Sequence, residues 1–393
     1  MKKVVFLMVC MIMYGFMAGQ TSNLQELINK IGEKHVPDKR IGVYTVEAVQ
    51  GDSNWILRGK TSDASAYKHL VDSLQNTHVA FTDSVVVLPI AAYRDSCWAF
   101  APTSVIYLYA RPSFNAEMIT QALMGTPLKL LDKRPGGWKQ IQTPDGYIGW
   151  TEMYLEKISL KERTAYNAKP KVVVMAHNAF VYEKKSVLAP IVSDVVMGNI
   201  LVQIPTKNNK DEFVAVSLPD GRKGYMLACE VMSMDKWKKS IRLNGDHLLK
   251  LAKEFTGLPY FWGGLSVRGV DCSGLMKSVY FMHGIILPRD ASQQYYCGTP
   301  VDISQGYDQL QPGDLLFFGK ENPQDPTHPK VSHVAMYNGN KTFIHSSNTV
   351  HISSLDPLSP VYDEYNHKRL VGAKRIIGAT GGFWNLFEHE WYQ

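Results

Sequence analysis

Between residues 260 and 284 a glycine-rich loop containing Gly263, Gly264 and Gly269 leads into Asp271-Cys272-Ser273-Gly274, and then into apolar residues at helical spacing: Leu275, Met276, Val279, Tyr280 and Met282. The spacing predicts a helix that begins at the cysteine and stops at Gly284, with Pro288 beyond it. A thiol at a helix start faces unpaired backbone N–H groups and the positive end of the helix dipole, which favour thiolate over thiol. The expectation is a nucleophilic Cys272, partly ionised near neutral pH. Asp271 is expected as its N-cap, or as a ligand group beside the sulfur.

A chain of 393 residues is too long for one ordinary core, and 45% hydrophobic with 20% charged residues is a globular composition, so three or four small domains are expected. Lys+Arg 42 against Asp+Glu 36 leaves a net charge of +6 without a long basic run. This argues against a nucleic-acid partner. The opening Met-Lys-Lys, the apolar stretch Val4 to Met17 and Ala18-Gly19 have the layout of a secretory signal peptide over residues 1–19. The apolar run is shorter than the ~20 residues a spanning helix needs. The expectation is an exported protein, periplasmic or extracellular, a monomer without stable membrane insertion.

Beyond Cys10 in that leader lie Cys97, Cys229, Cys272 and Cys297. A working thiolate at Cys272 leaves three others, which argues against a disulfide framework, and those three are expected as small buried apolar side chains. No pair has zinc-site spacing and there is no His-Glu-x-x-His, so neither a metal nor a cofactor is expected.

Along the chain, helical spacing over Leu24–Glu33, strands over Ile41–Val49 and Trp55–Arg58 around Gly51-Asp52, and a helix over Ala64–Leu74 form a small α+β unit, residues 20–82. Two similar segments follow. Met124-Gly125 recurs as Met197-Gly198, and Pro144-Asp145-Gly146-Tyr147 recurs as Pro219-Asp220-Gly221-Arg222, with the extra length of the second copy in Lys207–Asp211. Short alternating strands with turns between them predict two small β-barrels in tandem, residues 83–160 and 161–240. From 241 to 393 the order is a helix (His247–Phe255), the glycine loop, the cysteine helix, then strands at Asp314–Phe318, Val331–Tyr337 and Thr342–Ser346. Helix first and antiparallel sheet second is an α+β layout. The aromatic tail (Phe383, Trp384, Phe387, Trp391, Tyr392) is suited to docking on a neighbouring domain.

A cysteine nucleophile needs a base within reach and a third group that fixes the tautomer of the base. His333 and His345 lie on consecutive predicted strands joined by a tight turn. Alternation sets Val331, His333, Ala335 and Tyr337 on one face, and Phe343 with His345 on a face of the next strand. A lone strand histidine is more often a satisfied core or surface residue; the conjunction with Cys272 is what singles these two out. His328 lies among Pro323, Pro326 and Pro329, with no strand to position it, in a loop expected to be solvated.

Pro259-Tyr260, Asp271-Cys272-Ser273-Gly274, Leu287-Pro288-Arg289, Gln311-Pro312-Gly313-Asp314-Leu315, Ser332-His333-Val334-Ala335 and Phe343-Ile344-His345-Ser346 resemble, in order, the signature blocks of the NlpC family of papain-like bacterial cell-wall cysteine peptidases. The resemblance covers roughly residues 245–378. It implies an α+β multidomain protein with a papain-like catalytic domain, preceded by two segments resembling bacterial SH3 barrels and the N-terminal α+β unit. The combination resembles the γ-D-glutamyl-L-diamino acid endopeptidases of that family, which trim peptidoglycan-derived peptides (L-Ala-γ-D-Glu-diamino acid) with a free N-terminal L-Ala.

By that resemblance Cys272 attacks the γ-D-Glu carbonyl, His333 moves the proton, His345 orients His333, and the N–H of Cys272 supplies part of the oxyanion hole. The resemblance also implies that Tyr260 and Ser292 line the substrate pocket, and that Glu117 and Tyr147 of the first barrel close it. A substrate ammonium must be neutralised when buried, which needs acidic and hydroxyl groups near the thiol, and Asp271 and Ser273 flank it. Trp138 and Trp150 are expected in the barrel core. Two rival readings keep the same residues: an endopeptidase that binds and cuts intact wall, and an amidase or acyltransferase using the same Cys/His pair.

Overall fold

The structure, a computed structural model, describes residues 23–393 apart from 53, 77–78, 206–211 and 326. The leader expected at 1–19 and the loop Lys207–Asp211 therefore lie outside the described residues. The chain divides into two compact units, one ending at Asp95 and including Leu130–Asp132, the other comprising Ser96–Lys129 and Lys133–Gln393. Among the described residues no helix is long and apolar enough to cross a membrane.

In the first unit a helix over 23–35 and the helix Ala64–Gln75, N-capped by Asp63, bury Leu24, Ile28, Ile31, Leu70 and Leu74 against Val46 and against Leu57 of a three-stranded sheet. Glu47–Gln50 pairs antiparallel with Trp55–Thr61, the expected hairpin. Phe81–Val87 then adds in parallel to Trp55–Thr61, a pairing that needs a crossover and uses the helix Ala64–Gln75 for it. The boundary expected at residue 82 cuts through this strand; the unit runs on to Asp95.

Beyond Asp95 the chain forms two sheets of matching topology. The first has the order Trp98–Phe100, Pro127–Lys133, Lys139–Gln142, Ile148–Thr151, Val105–Tyr109, Met118–Leu123. The second runs Lys171–Val174, Ile200–Gln203, Phe213–Ser217, Lys223–Leu227, Asn178–Tyr182, Ile191–Val196, with Val231–Ser233 added beside Lys171–Val174. The recurring Met-Gly pairs mark the same turn in both copies. Gly125 takes φ +83, and a Cβ there would sit 2.1 Å from the Ile200 carbonyl oxygen, so the repeats touch backbone to backbone at a point only glycine fits. Trp138 and Trp150 are buried in the first sheet as expected.

The remainder, from the helix Gly245–Glu254 onward, packs the cysteine helix Cys272–Phe281 against a six-stranded antiparallel sheet. The sheet order is Thr299–Val301, Leu370–Arg375, Leu315–Lys320, Lys330–Gly339, Thr342–Ser347, Thr349–Ser354. Leu275, Met276, Val279 and Tyr280 bury completely against Val334, Met336 and Ile344. One alternation expected from sequence does not hold. A β-bulge opposite Phe318–Gly319 inserts Ser332 as an extra residue, so Val331 joins Val334 and Met336 in the helix-side core, while Ala335 and Tyr337 lie in the core of the other face.

Within this unit the sheet that packs on the cysteine helix and the first repeat are welded together. The aromatic tail pairs Trp384–Asn385 with Ile285–Ile286, stacks Trp391 edge-on to Trp98 at 4.9 Å, and takes a hydrogen bond from Asn167 to the Trp391 carbonyl. Lys277, on the cysteine helix, extends its buried ammonium to Asp145 of the first repeat at 3.0 Å and to the Leu287 carbonyl. Removing one partner of such a pair strands a buried charge, at a cost of about 3–5 kcal/mol. Asp145→Ala should therefore lower the unfolding midpoint of the protein substantially, whereas replacing an exposed pair partner such as Lys368 should shift it little. Equal midpoints for the two variants, measured by thermal unfolding, would remove the weld.

Candidate active site

The cysteine helix begins where the sequence places it. Asp271 is the N-cap and accepts from the Gly274 N–H at 2.7 Å, so Cys272 is the first helical residue and its own N–H has no acceptor among the described residues. Gly274 is required by close approach: a Cβ on it would lie 1.9 Å from the Gly264 carbonyl oxygen, where the glycine loop crosses the helix start.

Asp271 does more than cap. Its two oxygens also accept from the Gly263 N–H (2.9 Å), the Ser273 hydroxyl (3.2 Å) and both terminal nitrogens of Arg289 (3.1 and 2.5 Å). Arg289 is almost fully buried, and its remaining donors go to Ser273 Oγ at 2.9 Å and Thr120 Oγ1 at 2.9 Å. Burial alone would weaken the guanidinium charge; the Asp271 carboxylate more than reverses this and raises its pKa. Arg289 stands in the Leu287-Pro288-Arg289 block, but nothing in its local sequence marks it as the partner of Asp271.

The ladder between Lys330–Gly339 and Thr342–Ser347 ends at the Met336–Ile344 pair, beyond which the two strands diverge. The N–H of Val334, freed by that divergence, is directed at the Cys272 sulfur, and the Ser346 hydroxyl holds the Val270 carbonyl at 2.8 Å. Across the fork His333 Nε2 lies 2.9 Å from His345 Nδ1, with the rings edge-on. His345 is 1% exposed, and among the described residues His333 Nδ1 has no hydrogen-bond partner. His345 Nε2 in turn meets His351 Nε2 at 3.1 Å and Ser353 Oγ at 3.2 Å. His351 was not singled out in the sequence, although 345 and 351 are symmetric about Asn348, whose φ of +59 makes the turn that sets them opposite.

The ionisation expected for Cys272 does not survive folding. Burial, and next the adjacent Asp271 charge, push the thiol up to about 12, against the opposing pull of the Val334 and Ser273 N–H groups and of Arg289. Helix-terminal placement is outweighed by desolvation. Burial and then the Arg369 guanidinium push His333 down to about 4, while burial followed by the two flanking imidazoles pushes His345 down to about 2. At rest the Cys272 thiol and both imidazoles are neutral.

The remaining expected residues fall around this centre. Tyr260 is half-buried, and burial followed by the nearby Cys272 and Asp271 charges raises its pKa, so its hydroxyl remains a donor. Ser292 lies in the short helix Ala291–Gln294, which is tied to the cysteine helix by Gln294 Nε2 donating to the Ser273 carbonyl at 3.1 Å. From the first repeat, the exposed Glu117 accepts from the indole N–H of Trp262 at 2.8 Å, and the buried Tyr147 donates its hydroxyl to Asp290 at 3.1 Å. Trp262 and Asp290 carried no signal of their own beyond their nearness to the motifs. His328 stays in its loop, bonded to Asp325 at 2.7 Å. All four described cysteines are free; Cys297 is buried as expected, but Cys97, just before the strand Trp98–Phe100, is only half-buried, and Cys229, in the turn Ala228–Glu230, is exposed.

Residues 257–375 match the model of the NlpC/P60 family, and residues 108–153 match the bacterial dipeptidyl-peptidase SH3 domain. The chain is 28% identical over 264 residues to dipeptidyl-peptidase 6 of Lysinibacillus sphaericus, covering 65% of this chain and 90% of that protein. It is 32% identical over 279 residues to a γ-D-glutamyl-L-lysine dipeptidyl-peptidase of Bacillus cereus, covering 67% of this chain and 77% of that one. The crystal structure of an NlpC/P60 family protein from Bacillus cereus shares the fold with a TM-score of 0.58 at 26% identity, over 71% of this chain and 99% of that chain.

A thiol held neutral has a distinct pH signature. With His333 read as the base, kcat/KM should fall only as pH drops toward about 4, not near the ordinary imidazole value. Inactivation by iodoacetamide should accelerate steadily as pH rises through neutrality, because the thiolate fraction is still growing. A flat inactivation rate between pH 5 and 8 would instead mean a preformed thiolate.

Proposed function

This chain belongs to the NlpC/P60 family, and from that premise we propose that it is a cysteine peptidase which hydrolyses the bond between γ-D-Glu and the L-diamino acid of peptidoglycan peptides. It is a hydrolase. Three of its relatives are named for dipeptidyl release, two of them for the γ-D-glutamyl-L-lysine bond, and this supports the bond chosen.

In the reading we favour, Cys272 Sγ attacks the γ-carbonyl while its proton passes to His333 Nδ1. With a neutral thiol the transfer accompanies the attack. His345 holds the His333 ring, and the N–H of Cys272 donates to the developing oxyanion, a type of contact worth about 2.7–4 kcal/mol. Collapse breaks the C–N bond, and His333 returns the proton to the leaving α-amine, giving a thioester. Water then attacks the thioester carbonyl, its proton goes to His333 and on to the departing sulfur, and L-Ala-γ-D-Glu leaves with the thiol restored.

The observation that carries the substrate reading is the bond between Glu117 of the first repeat and Trp262 of the glycine loop. It sets a carboxylate from the SH3-type segment against the loop that leads to the nucleophile, where it can meet the amino end of a dipeptide. We assign the L-Ala ammonium to Glu117 with Tyr147 and Asp290. Asp271 we assign to holding Arg289, Ser273 and the loop, since five donors already occupy its oxygens. Tyr260 and Ser292 are read as pocket walls. The second sheet, with the same strand order as the first, is read as a second SH3-type barrel.

L-Ala-γ-D-Glu-L-Lys should be cut to L-Ala-γ-D-Glu and lysine, and its N-acetyl derivative should lose roughly 30- to 1,000-fold in kcat/KM, the range expected when a buried charge partner is removed. Cys272→Ala should abolish turnover while still binding the peptide. Equal cleavage of acetylated peptide would overturn the ammonium assignment. Faster release from intact sacculi than from the free tripeptide, or products of another mass, would favour the wall-cutting or the amidase alternative.

A further inference from the structure

The imidazole line in the fork does not end with His345. His351, on the strand Thr349–Ser354, is its cross-strand partner, with ring centroids 4.6 Å apart. Each ring in the line has one nitrogen facing the next: His333 Nε2 to His345 Nδ1 at 2.9 Å, and His345 Nε2 to His351 Nε2 at 3.1 Å. The far nitrogen of His351, Nδ1, lies 2.9 Å from the Thr349 carbonyl oxygen.

Donor and acceptor bookkeeping then runs one way. A carbonyl oxygen only accepts, so a neutral His351 must carry its proton on Nδ1 and present a bare lone pair at Nε2. Two lone pairs cannot face each other at 3.1 Å, so His345 must donate from Nε2; the Ser353 hydroxyl at 3.2 Å is a second acceptor for the same proton. His345 Nδ1 is then bare and accepts from His333 Nε2–H. That leaves the lone pair of His333 on Nδ1, the nitrogen with no partner among the described residues. The backbone carbonyl of Thr349 thus reads through three rings to the nitrogen that has to act as the base.

We infer that His351 is a positioning residue which, anchored on the Thr349 carbonyl, fixes the tautomer of the His345–His333 pair and so keeps His333 Nδ1 free to take the thiol proton. The inference deepens the proposed mechanism and rests on His333 being the base. His351 touches neither sulfur nor substrate in this role. What it supplies is an acceptor at one point in space, so the chemistry of a replacement matters more than its volume.

Three substitutions separate this from simple packing. His351→Gln still offers an oxygen acceptor and should keep kcat within a few-fold of wild type. His351→Leu leaves His345 only Ser353 and should lose roughly 10-fold, at the low end of losses for outer-sphere partners. His351→Lys offers donors only; by pointing a proton at His345 Nε2 it reverses the line and protonates His333 Nδ1. It should lose about 100-fold or more in kcat with KM little changed, in the direction of the ~10⁴ that a wrong tautomer costs a triad. A packing role would rank Leu above Gln, or lower all three alike, and either result overturns the proposal. Independently of any substrate, side-chain ¹⁵N spectra of histidine-labelled wild-type protein, with the His333 signals assigned through His333→Ala, should show Nδ1 unprotonated and Nε2 protonated. The opposite pattern overturns the proposal even if the variants fail to fold, whereas failure of the tripeptide assay with the expected spectrum faults the substrate reading alone.

Discussion

The buried pair of Asp271 and Arg289 is the interaction on which the site depends. Neither charge is affordable in the interior alone, and together they are tolerable because nearly every donor and lone pair is used. Those bonds gather the start of the cysteine helix, the glycine loop at Gly263, the Leu287-Pro288-Arg289 segment and Thr120 of the first repeat into one cluster beneath Cys272. Loss of either partner would leave a charge stranded next to the sulfur, so the cluster fixes residue identity at several points at once. It also has a chemical consequence. A carboxylate so fully engaged keeps the sulfur in a buried, negatively flanked setting, which works against a resting thiolate and makes the base indispensable.

The same cluster ties the first repeat to the residues around Cys272. Thr120 bonds Arg289, Gln121 accepts from the Leu265 N–H at 3.0 Å, Glu117 bonds Trp262, and Lys277 reaches back from the cysteine helix to Asp145. An SH3-type module used only to hold a polymer would not need polar contacts aimed so closely at the nucleophile. In the proposed reading its acidic rim, at Glu117 and beside Asp290, takes the substrate ammonium that the fully bonded Asp271 cannot.

Much of this was legible in the chain because it is local. The Asp-Cys-Ser-Gly step and the helix after it follow from spacing within a few residues, the two histidines from strands joined by a tight turn, and the paired repeats from direct recurrence of short motifs, and the structure has them. What was not legible depends on what folding brings near. The ionisation expected for Cys272 came from the helix terminus alone, while the deciding effect is desolvation by residues far away in sequence. The bulge at Ser332 shifts Val331 out of the predicted face because pairing with Phe318–Gly319 is a property of two strands. The strand Phe81–Val87 joins the first unit through a parallel partner, which has no turn signature. His351 was hidden by an asparagine turn that lacks the usual glycine, and Arg289 by the absence of any local reason for an arginine to be buried.

The most direct test uses the acyl half of the substrate as a label: L-Ala-γ-D-Glu carrying a chloromethyl ketone in place of the γ-amide. Intact-mass and peptide mapping should find one adduct per chain, on Cys272, appearing in step with loss of activity and suppressed in His333→Ala. Labelling that spreads to Cys97 or Cys229, or full inactivation with Cys272 unmodified, would contradict a catalytic sulfur at the head of this helix.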